Sequence, residues 1–162
     1  MQKLSQALGN NFSDKYHLYG DMLFKISMTH LGNKEDAEEA MQEAFYKLLY
    51  KSPEFNDGEH EKAWLIRTIV NICKDMRKNA WYKKTVKIEE VEEYYDNSRD
   101  LDVIMDVFSL PMKFKTIIYL YYFEGYSIKE ISGVLKLTES AVKMRLMRGR
   151  KLLKMKLEGE YI

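Results

Sequence analysis

Ser127-Ile-Lys-Glu-Ile131-Ser-Gly-Val-Leu135-Lys-Leu137-Thr138-Glu-Ser-Ala-Val142-Lys-Met-Arg-Leu146-Met-Arg-Gly-Arg150-Lys151 is the stretch that decides the fold of this chain. Ser127 is placed to cap a helix, with Glu130 three residues on completing a capping box. Ile128, Ile131, Val134 and Leu135 then recur at helical spacing on one face. Thr138 repeats the start signal, and behind it Val142, Leu146, Gly149 and Leu153 fall on one stripe while Lys143, Met144, Met147, Arg148 and Lys151 lie on others. Two helices joined by a tight turn, the second of them cationic, form a helix-turn-helix. That arrangement sets a recognition helix in the major groove of duplex DNA and lays the first helix across the backbone. From Thr138 to Leu157 seven cations face one carboxylate, Glu139, a net of plus six that attracts phosphate.

A lone basic amphipathic helix is more often a solvated or membrane-surface helix. The capped helix in front of it and the short connection favour DNA instead. Two positions depart from a generic motif. Lys136 stands where glycine would relieve a left-handed backbone, and Gly149 lies inside the recognition helix, where close packing against the motif's first helix would account for it.

Working outward, the net charge of plus one conceals a strong segregation. Lys62 to Lys87 holds eight cations against Asp75, a second basic block, whereas Ile88 to Asp106 holds eight carboxylates against Arg99. The acidic stretch, with Asn97-Ser98 near its centre and little periodicity, reads as a flexible linker. The 162 residues, 46% hydrophobic and 13% aromatic, suit one globular domain or two small helical ones. Pro53 and Pro111 are the only prolines, as expected of a mostly helical protein. No apolar run approaches the roughly twenty residues of a membrane span, and the N-terminus lacks a signal peptide's apolar core, so a cytoplasmic location is expected.

The N-terminal half reads as a helical bundle. A first helix is expected from about Ser13 to His30, with Tyr16, Tyr19, Leu23, Ile26 and His30 in register and Gly32-Asn33 closing it. A second is expected from Lys34 to Lys51, packing Ala37, Ala40, Met41, Ala44, Phe45, Leu48 and Leu49. Glu35, Asp36, Glu38, Glu39 and Glu43 crowd its start, where the macrodipole favours them. Ser52 to Glu59 has loop chemistry. A third helix is expected from Glu61 to about Trp81, with Leu65, Ile69, Ile72 and Met76 as its apolar stripe and Arg67, Asn71, Lys74 and Lys78 nearly opposite.

A loop leading into a basic, aromatic-bearing helix points to contact with an opened nucleic-acid strand, whose bases stack on rings such as Phe55, Trp64, Trp81 or Tyr82. Trp64 more readily fits a core anchor, since large aromatics are mostly buried, and Phe55 a loop staple. The sequence leaves both readings open.

Glu35-Asp36-Ala37-Glu38-Glu39 with Gln42-Glu43-Ala44-Phe45, then Ala63-Trp64-Leu65-Ile66-Arg67 with Asn71 and Asp75, resembles region two of the extracytoplasmic-function sigma factors of bacterial RNA polymerase. Leu110-Pro111, Tyr122-Phe123-Glu124-Gly125-Tyr126-Ser127 and the helix-turn-helix resemble region four of the same family, and together the blocks extend from about Phe12 to Leu157. The resemblance implies an all-α chain of two small domains, with region two at 10–82, a linker at 83–103 and region four at 104–158. It implies that Asp36, Glu39, Gln42 and Glu43 bind the coiled coil of the polymerase largest subunit, with the flap as a further contact. It also implies that Phe55, Asn56, Trp64, Arg67, Asn71, Lys74 and Lys78 open the minus-ten element and hold its non-template strand. Lys143, Met144, Met147, Arg148 and Lys151 would then read the minus-thirty-five duplex, with Arg145 and Arg150 on phosphates. Core polymerase and promoter DNA are the implied partners, and an anti-sigma factor a further one. Met144 occupies a position where the family often has a small or polar residue, and methionines read bases only by apolar contact.

No catalytic constellation competes with this. His17, His30 and His60 are scattered, Cys73 has no partner at ligand spacing, and no glycine-rich phosphate loop occurs, so neither enzyme activity, metal nor cofactor is expected. Cys73, within a helical pattern, reads as a small buried residue. Two other classes remain: a free-standing helix-turn-helix regulator acting without core polymerase, and an adaptor whose basic helices bind acidic proteins. The first leaves the acidic helix and the Lys62–Lys87 block without a purpose.

Overall fold

The computed structural model describes residues 2–78 and 106–158, all of whose regular elements are α-helices. The expected linker, together with Trp81 and Tyr82, lies outside the described residues. Helix α1 spans Gln2–Leu31, α2 Lys34–Tyr50 and α3 Gly58–Lys78, and the three pack on one another. Two starts are earlier than the periodicity predicts. No proline precedes Ser13, and Phe12 anchors that end of α1 edge-on to Phe45 at 5.6 Å. Helix α3 begins at Gly58 because Asp57 caps it, its carboxylate accepting the His60 N–H at 2.8 Å.

Between α1 and α2 the chain turns through Gly32 at φ 78, and Asn33 caps α2 by accepting the Asp36 N–H at 2.9 Å. The core joins Leu23, Ile26 and Leu31 of α1, Ala37, Ala40, Ala44 and Phe45 of α2, and Leu65, Ile66, Ile69 and Cys73 of α3. The buried face of α3 is wider than the predicted stripe. Ile66, Val70 and Cys73 join it because α3 is also covered by a helix of the second bundle. Leu49, expected in the core, is exposed: one position past Leu48, it shares the outer side of α2 with Tyr46 and Tyr50. Cys73 is fully buried, and burial pushes its thiol up to about 12.

The second bundle comprises α4 (Met112–Tyr122), α5 (Ile128–Leu135) and α6 (Glu139–Leu157). The predicted capping box forms, with Ser127 Oγ accepting the Glu130 N–H at 3.0 Å and Glu130 Oε1 accepting the Ser127 N–H at 3.2 Å. Lys136 does adopt the left-handed conformation, φ 55 and ψ 47, and the N–H groups of Lys136 and Leu137 both reach the Ser132 carbonyl. Thr138 caps α6, its hydroxyl accepting the Ala141 N–H at 3.1 Å. Gly149 is required by α4 rather than by the first helix of the motif. A Cβ there would stand 3.1 Å from Ile118 and 3.4 Å from Phe114.

The bundles meet along α1–α4 and α3–α5. At the centre lies His30, 3% exposed, whose Nδ1–H donates to the Ile26 carbonyl at 2.8 Å while Nε2 lies 2.6 Å from Thr116 Oγ1. Burial, reinforced by the nearby Lys115 cation, lowers its pKa to about 3, so the ring is neutral and Nε2 accepts the threonine proton. Lys115 is itself buried, its ammonium 3.4 Å from the His30 carbonyl oxygen and 3.5 Å from that of Phe108. At the other margin Lys62 of α3 stands over the Tyr126 ring at 5.3 Å.

Candidate nucleic-acid interface

Helix α6 is docked by Val142, Leu146 and Gly149, which face α4 and α5. The opposite side presents Lys143, Met144, Met147, Arg148 and Lys151 to solvent. All five are exposed, and two of them, Met144 and Met147, are large apolar side chains left wet. The two remaining arginines diverge. Arg150 is held on the protein, its Nε donating to Tyr122 Oη and its guanidinium over the rings of Tyr121 and Tyr122 at 5.3 and 5.5 Å. Arg145 points toward the first bundle, lining a cleft there.

In the first bundle the loop before α3 forms an aromatic corner. Phe55 is half-buried, edge-on to His60 at 5.2 Å and to Trp64 at 5.7 Å. Asn56 is exposed, its N–H donating to His60 Nδ1 at 3.2 Å, which gives His60 a place in the corner that the sequence reading did not foresee. Trp64 is neither a buried anchor nor an open platform. Further along α3, Asn71, Lys74 and Lys78 are exposed and Arg67 is half-buried. Arg67, Asn71 and Lys74 form one wall of the cleft that Arg145, Leu135 and Leu137 of the helix-turn-helix close from the other side.

The acidic helix presents a third surface. Glu39, Gln42 and Glu43 are exposed along α2, while Asp36 is drawn into the helix start, accepting from Asn33 Nδ2 at 2.9 Å. The same side continues into Tyr46, Leu49 and Tyr50, all exposed, beside a shallow apolar groove floored by Phe12, Tyr16 and Phe45. Sequence reasoning missed these three, although 39, 42, 43, 46, 49 and 50 follow one helical face.

Residues 16–82 match the family model of sigma-70 region 2, and residues 109–153 match that of sigma-70 region 4. The chain belongs to the sigma-70 family. Among its relatives is the RNA polymerase sigma factor SigV of Bacillus subtilis, 29% identical over 143 residues that cover 85% of each chain. The extracytoplasmic-function (ECF) sigma factor SigW of the same organism is 27% identical over 165 residues, covering 90% of this chain and 88% of its own. The fold matches that of the sigma factor RpoE in a complex with the anti-sigma factor NepR from Bartonella quintana, with a TM-score of 0.74, 20% identity and coverage of 91% and 97%. It also matches CnrH in complex with the cytosolic domain of CnrY, with a TM-score of 0.71, 20% identity and coverage of 96% and 94%. The sigma factor described here is therefore of the ECF type, an alternative sigma factor built of regions two and four.

Proposed function

We propose that this sigma factor divides promoter recognition between its two bundles, with region two at 10–82, the linker at 83–103 and region four at 104–158. The observation that carries the reading is α6: its apolar stripe is docked while Lys143, Met144, Met147, Arg148 and Lys151 stand free on one side. That side enters the major groove of the minus-thirty-five element, the methionines meeting apolar base edges such as thymine methyls and the cations meeting guanines or phosphates. Arg145 takes a phosphate. Arg150 does so only by leaving its tyrosines.

Phe55, Asn56, Trp64, Arg67, Asn71, Lys74 and Lys78 hold the opened minus-ten strand. The edge-on pair of Phe55 and Trp64 supports this, since a base can stack beside it, and so does the row of amide and cationic groups along α3. Because Arg67, Asn71 and Lys74 face the second bundle across the cleft, strand engagement requires the bundles to separate.

Glu39, Gln42 and Glu43 dock on core polymerase at its largest-subunit coiled coil, Asp36 acting mainly through the cap it shares with Asn33. Tyr46, Leu49 and Tyr50 supply the apolar part of that contact. The flap contacts region four. An anti-sigma factor is a further partner, a reading supported by the structural neighbour RpoE, which is in complex with the anti-sigma factor NepR. The sigma factor acts in the cytoplasm and performs no catalysis of its own. Among the described residues no helix is long and apolar enough to cross a membrane.

Reconstituted transcription with core polymerase on a genomic fragment library tests the reading. Specific initiation with core, and weak promoter binding by the isolated chain, are expected. Tight operator-like binding without core would favour a free-standing regulator instead.

A further inference from the structure

With the bundles joined, cations that promoter reading assigns to DNA face one another across a cleft, and Lys113, which promoter reading leaves unassigned, stands among them. Arg67 and Lys74 of α3, Lys113 of α4 and Arg145 of α6 line a single cavity of about 60 Å³, with Asn71 and Thr116 among their neighbours. No carboxylate lines it. None of the four cations takes part in an ion pair among the described residues, and Lys113 has only the Phe114 ring beneath it, at 5.0 Å. The Nε of Arg67 is buried without a hydrogen-bond partner. A buried N–H left unsatisfied is costly, and four like charges around one small space repel one another unless something neutralises them.

The size and chemistry of the space define what would. At about 60 Å³ the space suits a small polyatomic ion. Guanidinium groups match phosphate oxygens with paired N–H bonds, while ammonium and amide groups complete the shell. We propose that this cleft is a binding site for a single phosphate-type oxyanion, bridging the two bundles through Arg67 and Lys74 on one side and Lys113 and Arg145 on the other. The phosphate can arrive as the free ion, as the terminal group of a mononucleotide, or as one unit of a DNA backbone. The small volume of the cleft favours the first two.

Calorimetric titration of the full chain with potassium phosphate, against chloride at matched ionic strength, tests the site without polymerase or promoter. One saturable phosphate per chain is expected. Arg67→Gln and Lys113→Gln, taken from opposite bundles, should each weaken binding about tenfold or more, whereas Lys129→Gln, exposed on α5 and outside the cavity, should leave it intact. Circular dichroism and the thermal midpoint of each variant without phosphate report whether it folds. A mononucleotide should compete with phosphate. The proposal is overturned if phosphate uptake does not exceed that of chloride, if Lys129→Gln weakens binding as much as Lys113→Gln, or if only one bundle's variants matter. It is equally overturned if a twelve-nucleotide single strand binds at this site while free phosphate and mononucleotide do not.

Discussion

His30 shows how one side chain can set a pH limit on the whole molecule. Its folded pKa is about 3 against an ordinary value of 6.5, because the ring is buried and faces the Lys115 cation. Folding therefore selects the neutral ring. The contribution is complete above about pH 6.5 and declines as the pH falls toward 3, since the unfolded chain takes up the proton first. Between pH 7 and 5 the linkage amounts to about 2 kcal/mol, the change expected in the free energy of urea unfolding. His30→Asn should flatten that slope, and an unchanged slope would remove His30 from the account. Gly149 sets a steric limit. Alanine there gains about 1 kcal/mol of helix propensity, but its Cβ meets the fully buried Ile118 at 3.1 Å, and overpacking costs about 1–3 kcal/mol. Gly149→Ala is expected to be about 1 kcal/mol less stable, and Ile118→Val in the same chain should recover only part of the loss, because it removes Cδ1 but leaves Cγ1, the second atom at 3.1 Å. Equal stability of Gly149→Ala and the parent would mean that Ile118 yields freely.

Elements held by local chemistry were readable in advance, and elements held by distant partners were not. The capping box at Ser127 and Glu130 and the cap at Thr138 depend on neighbours within a few residues and stand where the spacing placed them, whereas the turn at Lys136, whose geometry the spacing leaves open, is left-handed. Lys136 then carries a direct consequence. At φ 55 a glycine avoids the Cβ conflict, so Lys136→Gly should stabilise the second bundle by up to about 1 kcal/mol in thermal or chemical unfolding. By contrast, Glu61 is buried by Tyr19, which donates to it at 2.8 Å, and by Lys15, 46 positions earlier. The contact of His30 with Thr116 spans 86 positions. Periodicity cannot reveal such pairs, because it records which face is apolar and not what covers it. Leu49 fails for the same reason: the pattern says it is apolar, and only the packed bundle shows that it faces outward with Tyr46 and Tyr50. That outward trio gives α2 a mixed acidic and apolar exposed face, the one proposed to dock on core polymerase. Tyr46→Ala with Tyr50→Ala should weaken core-polymerase association about tenfold or more while leaving the unfolding midpoint nearly unchanged, as measured by fluorescence anisotropy and thermal melts. Unaltered association would move the docking surface off this face.

At the scale of the whole molecule, the two basic surfaces are related asymmetrically. The recognition face of α6 is open, while the α3 wall of Arg67, Asn71 and Lys74 faces the helix-turn-helix across a cleft whose bundles are joined by the His30–Thr116 bond and the buried Lys115. On the proposed function, reading the upstream duplex would require no rearrangement of α6, but holding the opened strand would require separation of the bundles. The two surfaces should consequently be separable by mutation. Arg148→Ala with Lys151→Ala removes two exposed cations from α6 without touching its docked stripe, so the fold and polymerase binding should persist. Contacts of this kind contribute about 1–3 kcal/mol when they read a base, and a smaller, salt-dependent amount when they meet phosphate. Initiation from a promoter that depends on its minus-thirty-five element should fall about tenfold to a hundredfold, and the loss should shrink when salt is lowered. Glu39→Lys with Glu43→Lys should do the converse, weakening core association at a surface that meets no DNA. Run-off transcription alongside a core-binding assay distinguishes the two variants. If the α6 double variant loses polymerase binding, or the α2 double variant keeps it in full, the division of labour between the bundles is wrong.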